Sequence, residues 1–466
     1  MSNLNTQVRS ALEFIPPAFN PQVLQGGKLV LPWWLKFKTS ISNIEAQNLE
    51  TLADLYQQFD AGKARFLMAF RHPSIDDPFC MGQMVWDLLP KAAQKQGITL
   101  KSPVHSHFIY DRGIPLWAGS RVGWLYSRLG GTPIMRGRID RAGLRSARDL
   151  FLNGKFPIAA SPEGATNGHN ERVSPLEPGI AQMGFWCAED ISKGDRSELV
   201  FIVPVGIQYS YIDEPWENIE KLLTQLEVDS GLRGDGTTPN ATVDPASLEP
   251  SALYDRLMRL GGHLLVTMEN FYRRFYHENL PETAPNSDSA DPNQALAVRM
   301  NALFNVALGV AEEYFDLKPK GNLIDRCRRL EQAGWDYIYR EDIESVAAIS
   351  SVEKGLADLI AEEASLRMWH MRLVESFVAV TGSYVKEKPT AERFAETTLL
   401  LWNVIRKIKG GNPLSRPSLG KQRVQMTVAE PICVSDRLDA YKASRRSAVA
   451  DLTRDLQVAL EGTIKH

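Results

Sequence analysis

Apolar positions in the first half of the chain fall into short runs separated by stretches of helical spacing. The segments 64–70 (ARFLMAF), 156–161 (FPIAAS) and 199–211 (LVFIVPVGIQYSY) are near-continuous apolar runs, and they predict buried strands. Between them, 75–90 and 140–153 place apolar residues every three or four positions, as one helix face does. This alternation predicts an α/β fold, a mixed sheet flanked by helices. Residues 1–63 read as a helical N-terminal region and 64–215 as the core. From 216 to 420 the pattern is mostly helical and charge-patterned, broken by loop-rich segments at 229–250 and 281–294. The strand period returns at 421–434 (KQRVQMTVAEPICV), followed by a charged amphipathic stretch. A lone strand and helix so late in the chain have no sheet of their own, so 421–466 is expected to rejoin the core, making 216–420 an insertion.

Composition narrows the function classes. With 44% hydrophobic and 23% charged residues in 466, the chain has the balance of an ordinary globular protein with room for two or three domains. A net charge of -3 argues against a surface given over to nucleic acid, and no nucleic-acid partner is expected. Cys80, Cys187, Cys327 and Cys433 form no CxxC pair, which suggests neither a zinc site nor a disulfide framework and fits a reducing, cytoplasmic setting. The N-terminus lacks the pattern of a secretory signal, so the NAT tripeptide at 240–242 carries no glycosylation argument. No uncharged run is long enough to span a bilayer, so any membrane contact is expected to be peripheral. The candidate is LVLPWWLKFK (29–38), whose tryptophans and lysines suit a headgroup boundary, although the same residues also read as core packing.

Candidate chemistry begins at RHPSIDDPF (71–79), directly after a predicted strand. Pro73 is expected at the first helical position, which places His72 near a helix N-terminus, where the dipole favours the neutral ring. Residues five apart lie about 140° apart around a helix, so Asp77 reaches His72 only if the histidine folds back from the helix. A carboxylate on one ring nitrogen would fix the tautomer and support the imidazolium formed on proton abstraction. Taken alone, the pair reads equally as a packed histidine beside a capping aspartate.

HPSIDD (72–77) resembles the HxxxxD block of the glycerolipid acyltransferase superfamily, which includes the lysophosphatidate acyltransferases. Three further segments resemble that family's later blocks in order: GGTPIMRGR (130–138), SPEG (161–164) and VPVG (203–206). The terminal VQMTVAEPICV (424–434) is similar to its late strand. The resemblance covers the first 215 residues or so and the last 45, and does not reach 215–420. It implies a glycerolipid-acyltransferase-like α/β fold and transfer of a fatty acyl group from acyl-carrier protein or acyl-CoA to a lysophospholipid such as 1-acyl-glycerol-3-phosphate. His72 and Asp77 would be catalytic. Arg136 would hold the acceptor phosphate and Glu163 a hydroxyl, with Gly130, Pro162 and Gly164 at the binding surface and Pro204 shaping the acyl wall. The thioester is a co-substrate and no cofactor or metal is implied; the enzyme would lie on the cytoplasmic face of a membrane.

The departures bear on the acceptor. Arg71 stands where an asparagine often precedes the histidine, Ser161 replaces the phenylalanine before Pro162, and Ala165 and Thr166 replace the threonine and arginine after the glycine. Loss of that arginine keeps open a non-phosphorylated acceptor such as diacylglycerol, and a non-catalytic lipid-binding scaffold is a third reading. Arg141, Arg145 and Arg148 share one helix face, suited either to an acidic carrier or to solvent. The stretch 115–131, with Trp117, Trp124 and Tyr126, reads as tunnel lining or core. His105 and His107 alternate as on a strand, but no third ligand stands at a telling spacing, so no metal site is expected.

Overall fold

The computed structural model describes residues 6–135, 140–232, 249–280, 292–375, 383–411 and 415–465. The chain divides into two compact units. One comprises Glu13–Ile212 with Lys421–His466, the other Met1–Leu12 with Asp213–Gly420. The first is α/β and the second mostly helical.

The strands among the described residues are β1 (Arg9–Ser10), β2 (Ile41–Gln47), β3 (Ala64–Phe70), β4 (His107–Asp111), β5 (Gly131–Ile134), β6 (Ile158–Ala160), β7 (Leu199–Tyr211), β8 (Tyr339–Arg340), β9 (Gln422–Val428) and β10 (Ile432–Cys433). In the α/β unit they build one mixed sheet in the order β2-β9-β7-β3-β6-β4-β5, with β10 also on β7. Strands β3 to β7 are mutually parallel. The late strand β9 lies antiparallel to β7 from Val205–Val428 to Tyr211–Gln422, and β2 runs parallel to β9.

Side chains alternate across this sheet with period two. Phe66, Met68 and Phe70 of β3, with Val203, Val205, Ile207 and Tyr209 of β7, enter a core covered by the helices Leu49–Asp60 and Asp77–Gln83. Leu67, Ala69, Val200 and Ile202 face the opposite way, under Arg141–Asn153, Gly179–Lys193 and Arg445–Glu461. Both sides of the central strands are thus covered, which is why their sequences read as unbroken apolar runs. Phe66 is fully buried, and truncating it to alanine is expected to cost about 3–5 kcal/mol.

Two details depart from the sequence expectation. Residues 1–63 are not one helical region: Pro21–Lys38 and Leu49–Asp60 are helices, but ISNIEAQ (41–47) is an edge strand, with a register shift between Ile41 and Asn43 that blurs its alternation. The stretch 75–90 is not one α-helix either. Asp77–Gln83 is followed by a wider π turn at Met84–Leu88 and then by Leu89–Lys95.

In the helical unit, long helices such as Pro250–Phe275, Pro292–Tyr314, Leu323–Ile338 and Ser351–Glu375 supply most of the structure. The N-terminal segment is tied in by β1, which pairs in parallel with β8, and by Val8, whose N–H donates to Asp358 Oδ1 at 2.9 Å.

Candidate functional site

Because β3 to β7 are parallel, their C-terminal ends share one edge, where ligand crevices of α/β sheets form. Strand β3 ends at Phe70 and delivers Arg71 and His72 to this edge, while β6 ends at Ala160 and delivers Ser161 to Gly164. The helix after β3 starts at Asp77 rather than at Pro73, so His72 sits on an irregular turn and not at a helix N-terminus. Local hydrogen bonding explains the delay. Asp77 Oδ2 accepts from the Ser74 N–H at 2.8 Å and Ser74 Oγ accepts from the Asp76 N–H at 3.2 Å, holding 74–77 as a side-chain-closed turn. The proline in the first helical turn is Pro78.

That turn folds His72 back over Asp77. His72 Nδ1 lies 2.9 Å from Asp77 Oδ2, with the aspartate fully buried and 21% of the histidine side chain exposed. The carboxylate accepts only, so the neutral ring carries its proton on Nδ1 and presents an Nε2 lone pair outward. There Nε2 meets the Thr166 hydroxyl at 3.0 Å. The other aspartate oxygen, Oδ1, accepts from the Tyr209 hydroxyl at 2.6 Å. Burial and the Asp77 charge push Tyr209 well above its ordinary range, so it stays protonated and keeps donating. Cys80 Sγ lies 3.5 Å from the same hydroxyl, its thiol pushed up by burial.

The histidine backbone is fixed from the neighbouring strand end. Its N–H donates to Glu163 Oε1 at 2.7 Å, and its carbonyl accepts from the Asn167 N–H at 3.0 Å. Glu163 Oε2 accepts from Asn167 Nδ2 at 2.6 Å and from the Ser174 N–H at 2.9 Å. Glu163, expected to hold a substrate hydroxyl, is 5% exposed, and its carboxylate fixes the His72 backbone and the loop at 167–174. Gly164 follows at φ +70°, where a Cβ would come within 2.1 Å of Glu177 Oε1, so this turn favours glycine. Pro162 is buried and its carbonyl accepts from the Glu177 N–H at 2.8 Å. Arg71, also buried, reaches into the following loop. It donates to the carbonyls of His169 at 3.1 Å, of Arg172 at 2.6 Å and of Asn170.

The remaining expected residues separate into several groups. Gly130 immediately precedes β5 at φ +78° and packs on His107, whose Nδ1 lies 2.9 Å from the Gly130 carbonyl, so it shapes the turn into the strand. Pro204 is buried within β7 where that strand's antiparallel partner changes from β10 to β9; its carbonyl accepts from the Ala429 N–H at 2.9 Å, and the missing N–H falls in the break between the two. Arg136, expected to grip a phosphate, follows the end of β5 and lies outside the described residues, as does Arg138. His105 is bonded to Trp86 Nε1 and the Leu129 carbonyl, and burial pushes it down to about 3. Among the described residues no cluster of histidine, cysteine and acidic side chains has the geometry of a metal site. Of the basic face, Arg148 pairs with Asp190 at 2.5–2.6 Å while Arg141 and Arg145 are exposed.

Sequence reasoning passed over Tyr209, Asn167 and the loop-holding use of Arg71. For Tyr209 a signal existed: it falls in phase with Val203, Val205 and Ile207 on the face that β7 turns toward Asp77.

An apolar surface lies beside the site. The helix Pro21–Lys38 buries Leu24, Leu31 and Leu35 against the unit but leaves Leu29 (81%), Val30, Trp33 (54%), Trp34 and Phe37 exposed. The segment 29–38 thus packs into the core on one face of its helix and leaves the other face exposed. Trp34 packs at a tilt against Phe79, with ring centroids 5.8 Å apart, two residues from Asp77, and Ile75, between His72 and Asp77, is exposed as well. The chain matches no protein-family model, no curated protein and no solved structure.

Proposed function

We propose that this chain is an O-acyltransferase of the glycerolipid acyltransferase type, moving a fatty acyl group from an acyl-CoA or acyl-carrier-protein thioester to the hydroxyl of a lysophospholipid such as 1-acyl-glycerol-3-phosphate. The observation that carries this reading is the His72–Asp77 pair at the C-terminal edge of the parallel strands, with Nε2 turned outward beside the 162–164 turn. In this mechanism the acceptor hydroxyl takes the place held by the Thr166 hydroxyl. His72 Nε2 removes its proton as the oxygen attacks the thioester carbonyl carbon. The C–S bond then breaks and the departing thiolate receives the proton from His72. Asp77, held by Tyr209 and the Ser74 N–H, supports the imidazolium between these steps. Arg136 is assigned the acceptor phosphate through charge-assisted hydrogen bonds. Every step draws on the chain's own groups.

The exposed face of Pro21–Lys38 suits the cytoplasmic surface of a membrane, with indoles at the headgroup level and Lys36 and Lys38 toward anionic lipid. Acceptor and product would then partition beside His72. The position of Thr166 favours a second acceptor. A neutral hydroxyl stands at Nε2 where the family carries an arginine, which fits an uncharged lipid alcohol such as diacylglycerol.

The test is acyl transfer by purified protein from labelled acyl-CoA or acyl-carrier protein to lysophosphatidate and to diacylglycerol, with His72→Ala in parallel. Transfer to lysophosphatidate that vanishes in the variant supports the leading reading, and transfer to diacylglycerol alone supports the second. No transfer to either, or transfer that survives His72→Ala, sinks the catalytic reading and leaves a lipid-binding scaffold.

A further inference from the structure

The hydroxyl that the proposed acceptor displaces belongs to a built arrangement of its own. Thr166 Oγ1 lies 3.0 Å from His72 Nε2, and His72 Nδ1 lies 2.9 Å from Asp77 Oδ2. With the ring proton held on Nδ1 by the carboxylate, Nε2 accepts, so the Thr166 hydroxyl donates to it. Hydroxyl, imidazole and carboxylate thus stand in the order of a nucleophile, its base and the base's orienting group. The loop fixes this contact on both sides of Thr166. Before it, Glu163 Oε1 accepts from the His72 N–H at 2.7 Å; after it, the Asn167 N–H donates to the His72 carbonyl at 3.0 Å. Asn167 Nδ2 also donates to Glu163 Oε2 at 2.6 Å and to the Arg172 carbonyl at 2.8 Å. Thr166 is exposed, and a Cβ on Gly168 would meet no atom within 4 Å, so a thioester can reach the hydroxyl from solvent. The thiols are poorer candidates. Cys80, Cys187 and Cys327 are buried, and burial pushes each of them up, away from the thiolate.

From this arrangement we infer that Thr166 is itself an acyl-accepting nucleophile, and that the chain hydrolyses fatty acyl thioesters through an acyl-threonine when no lipid acceptor occupies the site. The inference rests on the role proposed for His72 as general base. His72 Nε2 removes the Thr166 proton as Oγ1 attacks the thioester carbonyl carbon. The C–S bond breaks, the thiolate leaves with the proton from His72, and an ester remains on Oγ1. Water then attacks the ester carbonyl carbon and gives a proton to Nε2. Oγ1 departs with that proton, and the free fatty acid is released. A lipid hydroxyl that takes the place of Thr166 at Nε2 receives the acyl group directly, so transfer and hydrolysis compete for one base.

The experiment mixes the purified full-length chain with palmitoyl-CoA or palmitoyl-acyl-carrier protein in the absence of any lipid acceptor. Thiol release is followed in time, and peptides from acid-quenched samples are mapped by mass spectrometry. A burst of about one thiol per chain is expected before slower turnover. The palmitoyl group should map to the peptide carrying Thr166 and survive neutral hydroxylamine, which cleaves cysteine thioesters. Thr166→Val should lower acceptor-free release roughly a hundredfold or more, and Thr166→Ser should restore it. His72→Ala should abolish the adduct, and because Thr166 is exposed neither of its variants should move the unfolding temperature. Lipid transfer by a chain with neither the adduct nor Thr166-dependent thiol release would overturn this inference and leave the acyltransferase reading in place. Burst and adduct without transfer to lysophosphatidate or diacylglycerol would uphold the nucleophile and remove the lipid acceptor. An adduct on a cysteine alone, or one on Thr166 that persists in His72→Ala, would also overturn the inference; no thiol release and no transfer would sink both readings.

Discussion

Buried polarity serves opposite ends in the two units. In the helical unit Arg256 is 6% exposed and closed on itself, bonded to Glu220 at 2.8 Å, to Glu227 at 2.9 and 3.1 Å and to Thr224 at 2.7 Å. Arg326 with Glu312 and Arg299 with Glu269 repeat the pattern, each as a two-pronged pair. Every donor there points at another helix, and the product is a fixed packing arrangement. In the α/β unit, Asp77, Tyr209 and Glu163 are as deeply buried, but their bonds converge on one histidine that keeps an outward nitrogen. The contrast separates charge that holds a fold from charge that, on the proposed reading, prepares a reaction: the criterion is whether the network ends inside the protein or at solvent.

That criterion is broken most directly at the histidine. His72→Ala should lower transfer by about a thousandfold, within the range for a lost general base, and leave the unfolding temperature unchanged. The reverse is expected in the other unit. Arg256→Ala strands Glu220 and Glu227 in the interior and should cost about 3–5 kcal/mol in urea unfolding, with no acyl-transfer step assigned to it. A smaller effect sharpens the comparison, because Tyr209→Phe removes one donor to a carboxylate, worth about 1.5–3 kcal/mol. Its kcat should fall roughly ten- to a hundredfold with KM unchanged. The Asp77 carboxylate, freed of that bond, draws more strongly on the His72 proton, so the acid limb of the kcat/KM profile should move to higher pH; a limb that stays in place would reduce Tyr209 to packing.

A further effect is common to both units. Burial pushes His105 down to about 3 and His370 down to about 4, whereas each titrates near 6.5 once unfolded. Below about pH 6.5 the unfolded chain takes up protons that the folded chain refuses, so the stability these residues contribute is complete above that pH and declines toward pH 4 and below. Urea midpoints measured from pH 7.5 to 4.5 should show the decline, and His370→Asn should flatten its share of the slope.

How much of this was legible depended on range. The strands 64–70, 156–161 and 199–211 could be read because burial on both faces writes itself as continuous apolar sequence, and the His72–Asp77 pair because both residues lie in one turn. Strand β2 was missed because its bulge spoils the period of two and its edge position leaves polar residues exposed. Glu163 was assigned to substrate from the family resemblance, whereas its bonds to the backbone of His72 and of Ser174 could not be read because they are set by which strands become neighbours. Tyr209 lies 132 residues from Asp77, and no local pattern joins them.

The clasp of Arg71 carries an evolutionary consequence. Its guanidinium is shared among carbonyls of 169, 170 and 172, and its backbone adjoins His72, so the loop after the 162–164 turn and the histidine form one piece without slack between them. A chain with a shorter side chain at position 71 would lose those three anchors at once and would need a loop of different length or composition to hold the same histidine. Among related sequences, the identity of residue 71 and the length of 165–172 should therefore change together, and a graft of either alone should fail.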